Sequence, residues 1–172
     1  MKKKIALITS TRAEYGLLYP LIKELMSEAE IKLDVLVSGT HLLEKYGNTI
    51  EQIKRDNVPV ARVLPIMDES FVSDEVHVTE AIAKAAVLCG KVFTEERYDA
   101  LIVLGDRYEL LGFCTAAAIC RVPIIHIHGG EITEGAVDDK IRHAVTKLSS
   151  LHFPSIPEYA NRIIQMGEDA QR

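Results

Sequence analysis

The chain is poor in several things. Cysteine occurs three times in 172 residues, at Cys89, Cys114 and Cys120. The count is odd and no Cys-x-x-Cys spacing occurs, so no disulfide framework is signalled and the three read as buried reduced thiols. Aromatic residues make up only 6%. Basic residues do not dominate: 20 Lys and Arg face 25 Asp and Glu, a formal net charge of -5. Composition therefore offers no cationic surface for a phosphate backbone, and no nucleic acid partner is expected. Long apolar runs are missing too. Stretches such as 85–89 and 110–114 fall far short of the ~20 residues that cross a bilayer, so no membrane partner is expected. After Met1-Lys2-Lys3-Lys4 the apolar run ends at Ile8, and Arg12 and Glu14 follow. No signal-peptide core is present, and a cytoplasmic location is expected. The two common phosphate-binding fingerprints are lacking as well: the first loop has no GxGxxG and the chain no GxxxxGK[ST].

What is present is 48% hydrophobic and 26% charged, ordinary for one globular domain. Residues 4–9, Lys-Ile-Ala-Leu-Ile-Thr, form a short run of branched apolar side chains, as expected of a parallel strand covered on both faces. From Gly16, Leu17, Leu18, Leu21, Ile22 and Leu25 recur as a helical stripe, with Pro20 tolerable near the first turn. Residues 31–38 predict a second strand, broken by Gly39 and Thr40 before a helical stretch ending near Arg55, and 60–64 a third, weaker one. Residues 74–97 carry the longest helical pattern, with Val78, Ile82, Ala85, Ala86, Cys89 and Phe93 on one side. Strands are then predicted at 99–104, 124–128 and 151–153, and helices at 108–120, 137–149 and 157–166. This alternation predicts the α/β class, a Rossmann-like doubly wound parallel sheet with helices on both faces. No repeat, low-complexity tract or linker divides the chain, so residues 1–172 read as a single domain.

In such sheets ligands bind beyond the carboxyl ends of strands, where loops enter helix N-termini. Four loops occupy those places: residues 10–16, 38–41, 105–109 and 128–135. Each mixes small residues with charge, which suits a polar ligand such as a nucleotide diphosphate, with arginines as planar forks. Asp106, set between Gly105 and Arg107 at the end of a buried strand, can be a fixed base or charge stabiliser, or the N-cap of the next helix. His126 and His128 lie two apart on a strand and face the same way. Two ligands without a specified third favour a hydrogen-bonded histidine in a polar cleft over a metal pair, so no metal site is expected. Gly129-Gly130 admits close approach of a ligand, or simply a turn. In Asp138-Asp139-Lys140-Ile141-Arg142-His143, Asp138 and Arg142 have the i,i+4 spacing that brings side chains together, with His143 beside them. Taken singly, that is a surface ion pair.

Taken together, five segments change the reading: Ser10-Thr11-Arg12-Ala13-Glu14-Tyr15, Ser38-Gly39-Thr40-His41-Leu42, Leu104-Gly105-Asp106-Arg107-Tyr108-Glu109, His126-Ile127-His128-Gly129-Gly130-Glu131, and the run from Asp138 to Lys147. In combination they resemble the hydrolysing UDP-N-acetylglucosamine 2-epimerase family of sialic-acid-type sugar biosynthesis. The resemblance runs from Lys4 to the C-terminus. It implies one half of a two-domain enzyme of the GT-B type, with UDP-N-acetylglucosamine held between two Rossmann-like halves. The C-terminal nucleotide-binding domain then lies outside this chain, bringing most uridine and diphosphate contacts and a further histidine. The resemblance also implies a UDP-sugar substrate, no cofactor, and a homo-oligomer at full length. This half alone is expected to bind weakly and turn over little or nothing.

The chemistry implied by the resemblance is anti elimination of UDP across C1 and C2 of the sugar, then hydration of the glycal with inversion at C2. UDP and N-acetylmannosamine are the products. Such a reaction needs a positioned base, stabilisation of the departing diphosphate and a group to direct the water. By motif, Asp106 and Asp138 match family carboxylates implicated in catalysis, and Arg12, His41, Arg107, Arg142 and His143 match positions that line the cleft and bind substrate. In some relatives a catalytic glutamate occupies the place of His128. The role then falls to His128 itself, a residue type suited to neutral pH, or to Glu131, the favoured carrier. The replacement also leaves room for related 2,4-diacetamido sugars of bacterial surface-polysaccharide pathways, with UDP-N-acetylglucosamine first in order. The alternatives are a non-hydrolysing epimerase, a GT-B glycosyltransferase and a non-catalytic nucleotide-sugar binding module.

Overall fold

Strand β1 (Lys3–Thr9) buries Ala6, Leu7 and Ile8 completely, because it pairs on both edges, with β2 (Ile31–Ser38) and β4 (Ala100–Leu104). Helices cover both of its faces as well, which is why its centre, Ile5 to Ile8, is continuously apolar. The computed structural model describes residues 2–133 and 137–172. Glu134 and Gly135, the end of the fourth loop, lie outside the described residues. The remaining strands are β3 (Val60–Leu64), β5 (Ile124–Ile127) and β6 (Leu151–Phe153). The sheet runs β3-β2-β1-β4-β5-β6 with every pairing parallel, the doubly wound order that the alternation of elements predicts.

Successive residues of β1 point to opposite faces, so Leu7 joins one core and Ala6 and Ile8 the other. On the first face, α1 (Arg12–Ser27) and α2 (Ile50–Arg55) pack Tyr15, Leu18, Ile22 and Ile53 onto Leu7, Val35 and Ile102. On the second, α3 (Glu75–Glu95), α4 (Tyr108–Ile119) and α5 (Asp138–Leu148) pack Ala85, Cys89, Phe113 and Val145 onto Ile8, Leu36 and Leu101. Helix α6 (Pro157–Gln165) follows β6. Cys89 and Cys114 are buried and Cys120 half-buried, all three free. Among the described residues no helix is long and apolar enough to cross a membrane.

Two expectations need correction. Helix α1 begins at Arg12, not Gly16, which puts Pro20 in its interior. The cause is the cap: Thr11 Oγ1 accepts the Glu14 N–H at 3.3 Å, and the Glu14 carboxyl accepts the Ser10 N–H at 2.6 Å. Two otherwise orphaned amides are satisfied, which fixes the start. Pro20 removes a bond to the Gly16 carbonyl, and both residues are exposed, so the loss falls on the solvent side of the helix. The helical stretch expected to end near Arg55 is broken into two short 3-10 turns, Gly39–Leu42 and Glu44–Tyr46, before α2. Gly47, at φ +87°, ends the second of them in a left-handed conformation that glycine adopts freely.

Candidate active site

The chain leaves β1 through α1 to β2 on one side, and returns after β3 through α3 to β4 on the other. Between β1 and β4 the two connections diverge and leave a crevice at the carboxyl ends of the strands. A cleft of about 330 Å³ opens there. Its walls are Thr11, Ala13, Glu14 and Leu17 from the start of α1, Leu104 to Arg107 from the end of β4 and the loop after it, and His128, Glu131 and Arg142.

Arg142 organises this cleft. Its side chain, 7% exposed, reaches back from α5 to the sheet. Nη1 donates to the His128 carbonyl at 2.8 Å and to Glu131 Oε2 at 3.1 Å. Nη2 donates to Asp106 Oδ2 and, at 3.3 Å, to Thr133 Oγ1. One delocalised cation thus sits between two carboxylates from different loops, an arrangement that a guanidinium's fixed fork of donors permits. The Asp138–Arg142 pair expected from spacing does not form, because Arg142 turns toward the strand ends. The i,i+4 pair of α5 is instead Asp139 with His143, at 3.6 Å. Asp106 is not a helix cap either: Arg107 holds the N-cap position of α4 with no side-chain cap bond, and the Asp106 carboxylate faces Arg142.

His128 is held by three handles. Its N–H donates to the Phe153 carbonyl at 2.9 Å, its carbonyl accepts from Arg142, and its Nδ1–H donates to Glu131 Oε1 at 2.7 Å. These bonds keep a non-glycine residue at φ +63°, a conformation that costs energy and persists only where the surroundings impose it. Strand β5 ends at Ile127, so His126 and His128 do not face the same way. The His128 ring is 41% exposed, and its Nε2 has no hydrogen-bond partner among the described residues. His126 is wholly buried. Its Nε2–H donates to the Gly105 carbonyl at 2.7 Å and its Nδ1 accepts from Thr146 Oγ1 at 3.2 Å, while burial pushes its pKa down to about 4. The glycine pair is a turn: a Cβ on Gly130, at φ +76°, would lie 2.4 Å from the Tyr159 carbonyl of α6. Burial pushes the Glu131 carboxyl up, but hydrogen bonds from Ser155 and His128 and the charges of His128 and Arg142 outweigh it and hold the group below its ordinary value.

Asp106, Arg107, His128, Glu131 and Arg142 therefore meet in one cleft. The other candidates do not line it. Arg12 is exposed at the first position of α1, between the lining residues Thr11 and Ala13. Asp138 opens α5, and His143 lies one residue beyond Arg142. His41 is wholly buried between Thr9 Oγ1 at 3.0 Å and Thr49 Oγ1 at 2.6 Å. Burial, and then the charge of Arg107, push its pKa down to about 4. Among the described residues no group of three or more His, Cys, Asp or Glu side chains is arranged to hold a metal ion.

Motif reading missed two carboxyl groups. Glu14 lines the cleft yet is buried, with its Oε1 unpartnered. Burial first, and then the charge of Glu109, push its pKa up to about 8. Glu109 is wholly buried; its Oε1 accepts from Arg107 Nε at 2.6 Å and its Oε2 has no partner. The one signal available was the Thr11-x-x-Glu14 capping pattern.

Comparison with known proteins identifies the family. The family model described as UDP-N-acetylglucosamine 2-epimerase matches residues 23–172. Polysialic acid biosynthesis protein P7 of Escherichia coli is 42% identical over 96% of this chain and 42% of its own length. A UDP-N,N'-diacetylbacillosamine 2-epimerase (hydrolyzing) of Legionella pneumophila is 38% identical over 98% of this chain and 44% of its own length. A UDP-GlcNAc 2-epimerase from Neisseria meningitidis, solved bound to UDP-GlcNAc, superposes with a TM-score of 0.82 at 19% identity, over 97% of this chain and 44% of that one. The chain thus spans less than half the length of these relatives.

Proposed function

Because the chain belongs to the UDP-N-acetylglucosamine 2-epimerase family, we propose that it is the N-terminal Rossmann-like half of a hydrolysing sugar-nucleotide 2-epimerase of the GT-B type. The substrate is UDP-N-acetylglucosamine or a related UDP-2-acetamido sugar, and the products are UDP and the free 2-epimerised sugar. The relative from Legionella, named as a hydrolysing 2-epimerase of a diacetamido sugar nucleotide, supports the hydrolysing outcome. The observation that carries the reading is Arg142 bound at once to Asp106, Glu131 and the backbone of His128.

In this reading a base takes the proton from C2. The electron pair forms the C1=C2 double bond, and the C1–O bond breaks to release UDP. Water then adds across the double bond, its hydroxyl to C1 and a proton to C2 on the opposite face. Asp106, bound to the Arg142 guanidinium, presents its carboxylate to the cleft. His128 offers an open Nε2 and moves a proton, while Glu131 fixes its ring through Nδ1–H. The motif reading favoured Glu131 as the proton carrier; three donors already occupy that carboxylate, so the proposal leaves it to orient His128. Arg107 and Arg12 face the departing diphosphate, and Asp138 approaches once the second half closes over the sugar. That half supplies the remaining nucleotide contacts.

Incubating the full-length enzyme with UDP-N-acetylglucosamine and no acceptor tests the reading. Free UDP together with free N-acetylmannosamine is the expected result. Return of a UDP-sugar would reassign the chain to a non-hydrolysing epimerase, and dependence on an acceptor to a glycosyltransferase.

A further inference from the structure

The loop that carries His128 and Glu131 is held from two directions. From α5, Arg142 donates to the His128 carbonyl and to Glu131 Oε2. From β6 and beyond, a second set of groups meets the same loop: the Phe153 carbonyl accepts the His128 N–H at 2.9 Å, Ser155 Oγ donates to Glu131 Oε1 at 2.8 Å, and Arg162 Nη1 of α6 donates to the Gly130 carbonyl. His128 and Gly130 both have left-handed backbones, at φ +63° and +76°, so two carbonyls of one tight turn each face a guanidinium. Arg162 is half-buried, with its guanidinium 5.4 Å from the centroid of the Tyr159 ring, and has no carboxylate partner among the described residues. Its charge-assisted bond falls on the peptide that joins Gly130 to Glu131, and the direction of that peptide sets where the Glu131 side chain starts. Ser155 in turn binds the very oxygen, Oε1, that accepts His128 Nδ1–H at 2.7 Å. A carboxylate oxygen has lone pairs for both donors, so the hydroxyl pins the atom to which the imidazole is tied.

We propose that Ser155 and Arg162 are positioning residues, which from outside the cleft fix the carboxylate and the backbone of Glu131 and, through Glu131, the direction of the His128 ring. Helix α6 then takes part in the chemistry although none of its residues lines the cleft. The clamp stands on these bonds alone, whereas its effect on turnover rests on the epimerase reading, in which His128 moves a proton. The charged and titratable groups facing Glu131 are His128 in its own loop and Arg142 from α5, with Asp106 on the far side of that guanidinium. Burial pushes the Glu131 carboxyl up, and the Ser155 hydrogen bond is first among the contacts that bring it down.

Carboxyl-carbon NMR of the protein labelled in glutamate tests the clamp, with Glu131→Gln identifying the resonance. Ser155→Ala takes away a donor that favours the charged form, so the Glu131 midpoint should rise toward the ordinary carboxylate value, and Ser155→Thr, which keeps the hydroxyl, should restore it. A Glu131 midpoint unmoved by Ser155→Ala would overturn the clamp, whatever the full-length enzyme makes. In that enzyme Ser155→Ala and Arg162→Met should each lower kcat about three- to tenfold, the equivalent of one ordinary hydrogen bond, with KM for the UDP-sugar and the circular dichroism unchanged. Arg162→Lys, whose ammonium can still donate to a carbonyl, should recover part of the loss. The acid limb of the kcat profile should move to higher pH in Ser155→Ala and return in Ser155→Thr, a change that a merely structural role would not produce. A kcat and an acid limb indifferent to these substitutions would overturn the positioning role.

Discussion

Arg142 stands between Asp106 and Glu131, donating to one carboxylate through Nη2 and to the other through Nη1. Removing it leaves two like charges in a partly closed cleft with no cation between them, a larger loss than that of a surface pair. Arg142→Met is expected to destabilise the protein by about 2–3 kcal/mol in urea unfolding. Arg142→Lys should restore only part of this, since a single ammonium cannot reach both carboxylates and the His128 carbonyl. Unchanged stability in Arg142→Met would show that the bridge contributes nothing.

Asp106→Asn keeps the side chain's size and removes its charge. In the full-length enzyme it is expected to abolish product formation while leaving UDP affinity within about tenfold, because the amide oxygen can still accept from Arg142 while the charge at the reacting carbon is lost. Near-normal turnover would take Asp106 out of the mechanism.

His128 and Glu131 can be told apart by the size of their effects. His128→Gln removes the proton carrier and should lower kcat by about a hundredfold or more. Glu131→Gln leaves the imidazole in place but loosens it, and should cost less, about tenfold. The reverse order would return the proton-carrying role to Glu131.

The strands were legible because branched apolar runs such as Ile31–Ser38 and Val60–Leu64 have little alternative to a sheet. The start of α1 was not, because Pro20 reads as a first-turn residue while the Thr11 and Glu14 cap that sets the start lies upstream of the apolar stripe. Spacing placed Asp106, His128, Glu131 and Arg142 on loops and helix starts at one end of the sheet. It could not tell that Arg142 would choose Asp106 over Asp138, because an i,i+4 interval says nothing about which way a long side chain turns. The left-handed backbone of His128 was invisible for a related reason: bonds from Phe153 and Arg142 impose it. Glu14 and Glu109 read as ordinary first-turn acids, and only burial shows that they are not.

Stability should be greatest near neutrality, with a slope on each side. His41 and His126 have folded values of about 4 against 6.5 unfolded. As pH falls below 6.5 the unfolded chain takes up protons that the native protein refuses, so each contributes a loss of about 1.4 kcal/mol per pH unit. Glu14 acts in the opposite sense: its folded value of about 8 lies above its ordinary 4.5, so the native state holds a proton that the unfolded chain has released. Its contribution falls as pH rises from 4.5 to 8. Below 6.5 the two histidines outweigh it, and above 6.5 it acts alone. Urea midpoints across this range should therefore peak near pH 6.5, and Glu14→Gln should remove the decline on the alkaline side. A flat profile between pH 6.5 and 8 in the unmodified protein would contradict the buried acid.

Gly112 and Gly90 give opposite answers to the same substitution. At Gly112 α4 lies close against α3: an added Cβ would sit 2.3 Å from the Ile82 carbonyl oxygen and 2.8 Å from the Ala85 Cβ. Backbone cannot yield as a flexible side chain can, so Gly112→Ala must push the helices apart. Its gain in helix propensity, about 1 kcal/mol, is smaller than the overpacking cost of about 2–3 kcal/mol. Gly90, on α3, has open space around the same added atom, so Gly90→Ala should stabilise by about 1 kcal/mol. Because α4 carries Glu109 in its first turn, its displacement in Gly112→Ala should also shift the Arg107 Nε–H resonance, while Gly90→Ala leaves it in place. Stabilisation by both substitutions would show that the contact between α3 and α4 is looser than this packing requires.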